Sequence, residues 1–377
     1  MHKLLSALLA VVLVATACGS DTTTTTAESA DSAESADATT GTDGTDNGLG
    51  ELAATIHSGA CVESGDAEVT IYSGRSEDLV QPVLDAFSCA TGIDVAVKYG
   101  DPTELAFALE QEGDRTPADV FLSKSPGAVG FLSNEGLLAP LSSSTLDLVD
   151  TQNRAADGDW VGVSGRMRVM VYNVDSVATE DLPASVFELT DEAYRGRVAL
   201  PVNNGSFLDW FTVFRAVEGD DVAVDWLDAM AANEPIITES NRPTVDAVGR
   251  GEFDFGLVNH YYNFQEKEAI GEDHRAENHS FATDDIGSLL IITAAGMTSA
   301  SDDTESAEAL IAYLLSDAAQ TYFTQETLEY PLADGVPAAD VLPALEQGVN
   351  DFDVNFDSLG DGLQRTVELI EASGING

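Results

Sequence analysis

Two adjacent tyrosines, Tyr261 and Tyr262, are the residues best placed to do chemistry in this sequence. A phenol ionises near pKa ~10, and its oxygen suits a hard, highly charged cation. A bound cation offsets the cost of ionising it, as metals do for bound water and thiols. The same pair could also simply open a helix, one ring packed and the other in solvent. Asn204, Gly205 and Ser206 precede a helical stretch, where backbone N–H groups can hold an anion or a side chain can cap the helix. Lys124, Arg166 and Arg168, with Asn and Ser donors, suit an anionic solute such as a phosphorylated sugar or phosphonate, through charge-assisted hydrogen bonds. The two arginines could equally form surface salt bridges on one solvated strand face. The sequence holds no Gly-x-Ser-x-Gly elbow, no phosphate-gripping Gly-Lys-Ser/Thr loop and no His-x-x-x-His zinc pair. It carries only five histidines. The expectation is a binding protein, not an enzyme.

These residues need elements to position them. EVTIYS (Glu68 to Ser73), Asp94 to Tyr99 and ADVFL (Ala118 to Leu122) read as strands, separated by helical patterns from Glu77 to Ala90 and Pro102 to Gln111. Asp101 before Pro102 and Glu104 is a helix start. A helix around Gly127 to Asn134 follows. Val161 to Asn173 reads as extended chain, and Arg197 to Pro201 as a strand leading to a helix from Ser206. Helices over Val222 to Ala232 and Thr244 to Arg250 precede a strand, Phe255 to Asn259, that ends at His260. Gly287 to Ala295 is strand-like. Helices follow from Asp303 to Leu315, Ala318 to Gln325 and about Gly362 to Ala372. The alternation predicts an α/β fold with largely parallel sheet, and the length suits two lobes with a ligand in the crevice at the strand ends.

The chain has 377 residues, 44% of them hydrophobic, and a formal charge of −50 from 66 acidic and 16 basic residues. Such a surface repels nucleic acid and anionic membranes and promotes solubility. Met1-His2-Lys3 and the apolar run Leu4 to Val14 read as an export signal over residues 1–17. Ala15-Thr16-Ala17-Cys18 is similar to the lipobox of bacterial lipoproteins, which would lipidate Cys18 and hold the protein on the outer face of the cell membrane; an ordinary cleaved signal is the alternative. Residues 18–60, rich in Thr, Ser, Ala, Asp and Gly, read as a disordered tether. In an oxidising compartment Cys61 and Cys89 are expected to pair, stapling the segment before the first strand to the first helix.

Several blocks, in order, resemble bacterial ferric-iron-binding proteins, the periplasmic binding proteins that feed iron ABC importers: TIYSGR (Thr70–Arg75), PADVFLS (Pro117–Ser123), GLLAPL (Gly136–Leu141), VGVSGRMRVMVYN, GLVNHYYN (Gly256–Asn263) and LEYPL (Leu328–Leu332). The resemblance covers roughly Glu68 to the C-terminus. It implies a two-lobed α/β fold of the type II periplasmic-binding-protein kind, with residues 68–168 and 288–340 in the first lobe and 169–287 and 341–377 in the second. It implies Fe(III) held by the Tyr261 and Tyr262 phenolates together with carbonate or phosphate. That synergistic anion would be cradled by Asn204, Gly205, Ser206, Asn241, Asn259 and Arg168, a register that leaves Arg166 possible instead. The lobes would close on the ligand, and an importer permease would read the closed monomer. Two positions depart from the family pattern: Ser76 stands where a His is usual, and Lys124 where an acidic residue is usual. Iron could then be held by two tyrosines plus an anion or arrive already chelated, as ferric citrate, or the ligand could differ. His260 and Tyr99 are candidate replacement ligands.

Overall fold

The computed structural model describes residues 47–345, 359 and 362–376. The export signal, Cys18 and most of the tether lie outside the described residues. The first half of the chain runs α1 (Glu51–Ile56), β1 (Glu68–Ser73), α2 (Glu77–Thr91), β2 (Asp94–Tyr99), α3 (Pro102–Glu112), β3 (Val120–Ser123), α4 (Pro126–Asn134), β4 (Leu138–Ala139), α5 (Ser143–Leu146) and β5 (Trp160–Asn173). It continues through β6 (Val198–Leu200), α6 (Gly205–Glu218), α7 (Asp220–Ala232), β7 (Ile236–Ile237), α8 (Asn241–Gly249), β8 (Phe255–Asn259), α9 (His260–Ile270) and β9 (Ala276–His279). β10 (Leu290–Thr298), α10 (Thr304–Leu314), α11 (Asp317–Gln325), β11 (Tyr330–Pro331) and α12 (Gly362–Ser373) complete it.

The strand order is β2-β1-β3-β10-β5-β8-β6-β7, with β4 added to β10 and both β9 and β11 added to β5. The wings are parallel, β2-β1-β3 at one end and β8-β6-β7 at the other. The centre departs from the parallel expectation: β10 runs antiparallel to β3 and β5, and β5 antiparallel to β8. Connectivity gives the reason. β5 carries the chain from the first wing into the second and β10 begins its return, so the two must run in opposite directions. All residues of β5 are buried. Its Trp160–Met167 stretch pairs with β10 and its Arg168–Tyr172 stretch with β8. One strand therefore belongs to both wings, and the residues at its crossing point, Arg166 to Arg168, sit where the lobes meet.

Alternation along the strands divides the core. In β3, Val120 and Leu122 face a cluster built with α1, α2, α10 and α11, while Phe121 faces a larger cluster that runs under α3 and α4 into the second lobe. Strands covered on both faces are the expected state of a parallel wing. Local rules hold where they were legible: the Asp101 side chain accepts from the N–H groups of Thr103 (2.9 Å) and Glu104 (3.3 Å), capping α3.

The tether expected over 18–60 does not hold at residues 51–56. Residues 51–56 form α1, and Ala53 and Ile56 are buried in the first-lobe core against α2 and α11. Cys61 and Cys89 are joined by a disulfide, 28 residues apart in sequence, which ties this segment to α2. Removing the cross-link frees a loop of that length in the unfolded chain, which corresponds to about 3–4 kcal/mol. The Cys61→Ala/Cys89→Ala double variant is expected to lose that much stability in a denaturant titration, with little change in ligand affinity. Among the described residues no helix is long and apolar enough to cross a membrane.

Candidate functional site

β8 ends at Asn259, and the first turn of α9 presents His260, Tyr261 and Tyr262 in succession. Tyr261 and Tyr262 turn into a cavity of 430 Å³ between the lobes. Their rings lie against one another, centroids 4.2 Å apart. Across the cavity stand Ser76, Lys124 and Arg166, the first two at the ends of strands β1 and β3. The structure thus brings together the tyrosine pair and both departing positions. Arg75, Glu329, Glu326 and Arg242 also line it.

Tyr261 is buried and Tyr262 half-buried. Burial, reinforced by the neighbouring Tyr262, pushes the Tyr261 phenol well above its ordinary pKa. Without a cation its hydroxyl therefore keeps its proton. His260 faces away from the cavity. Its Nδ1 accepts the Met167 N–H at 3.1 Å, and its ring stacks on Tyr330, centroids 5.0 Å apart. Burial lowers its pKa to about 4, so it is a neutral packing residue that braces the Tyr pair, not a ligand in this geometry. Tyr99 is also spent elsewhere, its hydroxyl donating to Gln81 Oε1 at 2.6 Å.

The expected anion residues do assemble, but behind the cavity wall. Asn204 caps α6, its Oδ1 accepting from Ser206 N (3.1 Å), Ser206 Oγ (2.7 Å) and Asn241 Nδ2 (3.1 Å). Asn241 Nδ2 also donates to Ser206 Oγ at 2.9 Å, and Asn241 Oδ1 accepts from Asn259 N at 3.1 Å. Arg168 closes the network, donating to Asn241 Oδ1, Asn259 Oδ1 and, at 2.6 Å, to the Leu257 carbonyl. Gly205 sits beside open space. In this geometry the Ser206 hydroxyl and the Asn241 side-chain amide donate within the cradle.

Arg168 does not line the cavity; Arg166 does. The solvated-face reading of the two arginines fails, since they are 3% and 0% exposed and neither makes an ion pair. β5 passes from one wing to the other between them. Arg166 reaches back to donate to the Lys124 carbonyl. Arg168 lies over the rings of Phe207 and Trp210 in the second lobe, where burial draws its pKa down to about 9. Lys124 is pulled below its ordinary pKa by partial burial and by Arg166.

Three features of the site were not legible beforehand. Arg75, next to Ser76, forms a buried ion pair with Glu329, Nη1 lying 2.6 and 2.8 Å from the two carboxylate oxygens. Thr293 and Ser164 complete the cluster. Ser125, from the first lobe, donates to Asp209 Oδ1 on α6 at 2.6 Å and so bridges the lobes; burial raises the Asp209 carboxyl to about 6. A larger hollow of 610 Å³ between α3, α4 and α12 is mostly apolar and holds none of the candidate residues.

A two-lobed α/β fold with a polar, charged cavity at the crossing of the lobes defines a solute-binding protein. Residues 115–360 match the family described as bacterial extracellular solute-binding protein, and the chain belongs to that family. It is 30% identical over 320 residues to the Fe(3+)-binding periplasmic protein of Serratia marcescens, covering 84% of this chain and 93% of that one. It is 32% identical over 273 residues to the major ferric iron-binding protein of Neisseria meningitidis, covering 71% and 81%. Among solved structures, iron-bound HitA from Pseudomonas aeruginosa superposes with a TM-score of 0.74 at 30% identity, over 82% of this chain and 99% of that one. Trichodesmium IdiA in complex with iron and citrate gives 0.72 at 26% identity, over 82% and 99%.

Proposed function

We propose that this protein is the extracytoplasmic Fe(III)-binding component of an ABC importer, and that it captures its cargo without chemical conversion. The observation that carries the reading is the Tyr261–Tyr262 pair, turned into an interlobe cavity from the first turn of α9. The names of the Serratia and Neisseria relatives and the iron-bound HitA neighbour support it. Two phenolates supply anionic oxygen to a hard cation, and a synergistic anion supplies further donors. The lobes hinge at the β5–β10 crossing, and ligand favours the closed form because it touches both walls. An importer permease reads that form. A lipid on Cys18 and the acidic tether would keep a monomer beside it.

Coordination must displace the phenol proton that burial of Tyr261 retains, so affinity depends on pH with a defined sign. A group whose pKa lies far above neutrality is protonated in the free protein and ionised in the complex. Affinity for Fe(III) is therefore expected to rise about tenfold per pH unit for each phenol ionised, after correction for the competing chelator. Loading with ferric ion in a pH-stat should release the matching protons. Iron binding with no proton release would remove the phenolates from the coordination sphere.

A further inference from the structure

Ser125 holds the N-cap position of α4, where a serine commonly accepts a backbone N–H of its own helix, as Ser142 and Ser316 do for α5 and α11. Ser125 makes no such bond. Its hydroxyl donates instead to Asp209 Oδ1 at 2.6 Å, on the other lobe and 84 positions along the chain. Both ends of this bond are held in place. Ser123, closing β3, donates through Oγ to the Ser125 carbonyl at 2.8 Å and accepts the Ser125 N–H at 3.0 Å. Asp209 is flanked in α6 by the buried rings of Phe207, Trp210 and Phe211.

A second contact crosses at the same turn. Gly127 is the second residue of α4, and Leu359, buried three residues before α12, approaches it. A Cβ on Gly127 would lie 3.6 Å from the Leu359 carbonyl oxygen and 3.8 Å from its Cβ. α12 packs in turn on α6 and α7 of the second lobe. Charge favours the same approach. The Asp209 carboxylate meets the N-terminal, positive end of α4. Lys124 and Arg166 attract it, while Asp101 opposes them. All of these contacts are made by protein atoms, and neither Ser125 nor Asp209 lines the tyrosine cavity.

We propose that Ser125 and Asp209 form a latch that joins the two lobes through protein atoms alone, so that the closed form is held before cargo arrives and capture begins with release of this bond. The inference rests on the two-lobe hinge proposed above and not on which cargo the cavity takes. Such a latch slows entry and strengthens retention, since the loaded state no longer bears the cost of closing.

Small-angle X-ray scattering of the full mature chain, with no cargo added, reads the latch directly. The wild type should be compact. Ser125→Ala and Asp209→Ala should each lower the closed-to-open ratio about 10- to 100-fold, the range for a hydrogen bond to a charged group, and so show a larger radius of gyration. The double variant should expand no further than either single one, because both remove the same bond. Ser125→Ala deletes one oxygen, so it reads the latch even if Asp209→Ala loses the fold. Gly127→Trp is the control: its ring would meet Leu359 and wedge the lobes apart with both latch residues intact. Expansion in Gly127→Trp alone would overturn the latch and leave the hinge standing. A wild type as expanded as the variants, or additive expansion in the double variant, would also overturn the latch. No expansion in any variant would overturn the latch and the hinge together.

Discussion

Replacing Tyr261 with Phe is expected to lower Fe(III) affinity by more than about 100-fold, beyond the 10- to 100-fold typical of residues that only support a metal ligand. The loss should come with little change in stability. The ring of Tyr261 is buried against Tyr262, and Phe keeps that packing. The hydroxyl sits where burial already penalises its ionised form, so its removal costs the empty protein little. With the cation present the same hydroxyl becomes the strongest donor the second lobe presents. Equilibrium competition against a chelator of known ferric affinity, paired with a denaturant titration, separates the two effects. Tyr262→Phe should behave alike. An unchanged ferric affinity in both variants would mean that the pair merely starts α9.

The second large effect is on folding. Arg75 and Glu329 are 4% and 1% exposed and neutralise each other through the 2.6 and 2.8 Å contacts. Burial by itself would raise the Glu329 pKa, but Arg75, Arg166 and Ser164 outweigh it and hold the carboxyl below its usual range. Arg75→Met leaves that carboxylate buried beside Ser164 without its nearest cation, and is expected to cost about 3–5 kcal/mol. The pH dependence gives a signed check. In the wild type the depressed Glu329 pKa contributes stability above the unfolded carboxyl pKa, near 4.5, which is lost as pH falls through the lower folded value. In Arg75→Met the folded pKa should lie above the unfolded one, so the variant should regain stability on acidification where the wild type loses it. The double variant Arg75→Met/Glu329→Leu should recover most of the loss, since replacing a buried pair by apolar groups is often neutral. Urea titrations at pH 4 and pH 7 would read all three.

What was legible in the sequence was local. The Tyr261–Tyr262 pair, the Asn204-Gly205-Ser206 helix start and the Asp101 cap are contiguous in the chain, and strand–helix alternation fixes which wing each belongs to. The Cys61–Cys89 bridge follows from counting. What stayed hidden was set by distance along the chain. Arg75 and Glu329 are 254 positions apart and Ser125 and Asp209 84 apart, and in a chain this acidic no single carboxylate stands out as a partner. Arg166 and Arg168 share a motif and a strand periodicity. Only the passage of β5 from one wing to the other sends the first to the cavity wall and the second into the second-lobe interior. The end of the tether was misplaced because α1 is short and only Ala53 and Ile56 of its residues are buried, too little apolar signal to separate it from the polar run before it.

The most direct test of the account is the visible absorption of the metal-free mature protein during titration with ferric citrate. A new charge-transfer band that saturates at one iron per chain, and is lost in both Tyr261→Phe and Tyr262→Phe, is the predicted result. No band, together with no thermal stabilisation by any ferric source, would contradict the assignment of this cavity to iron.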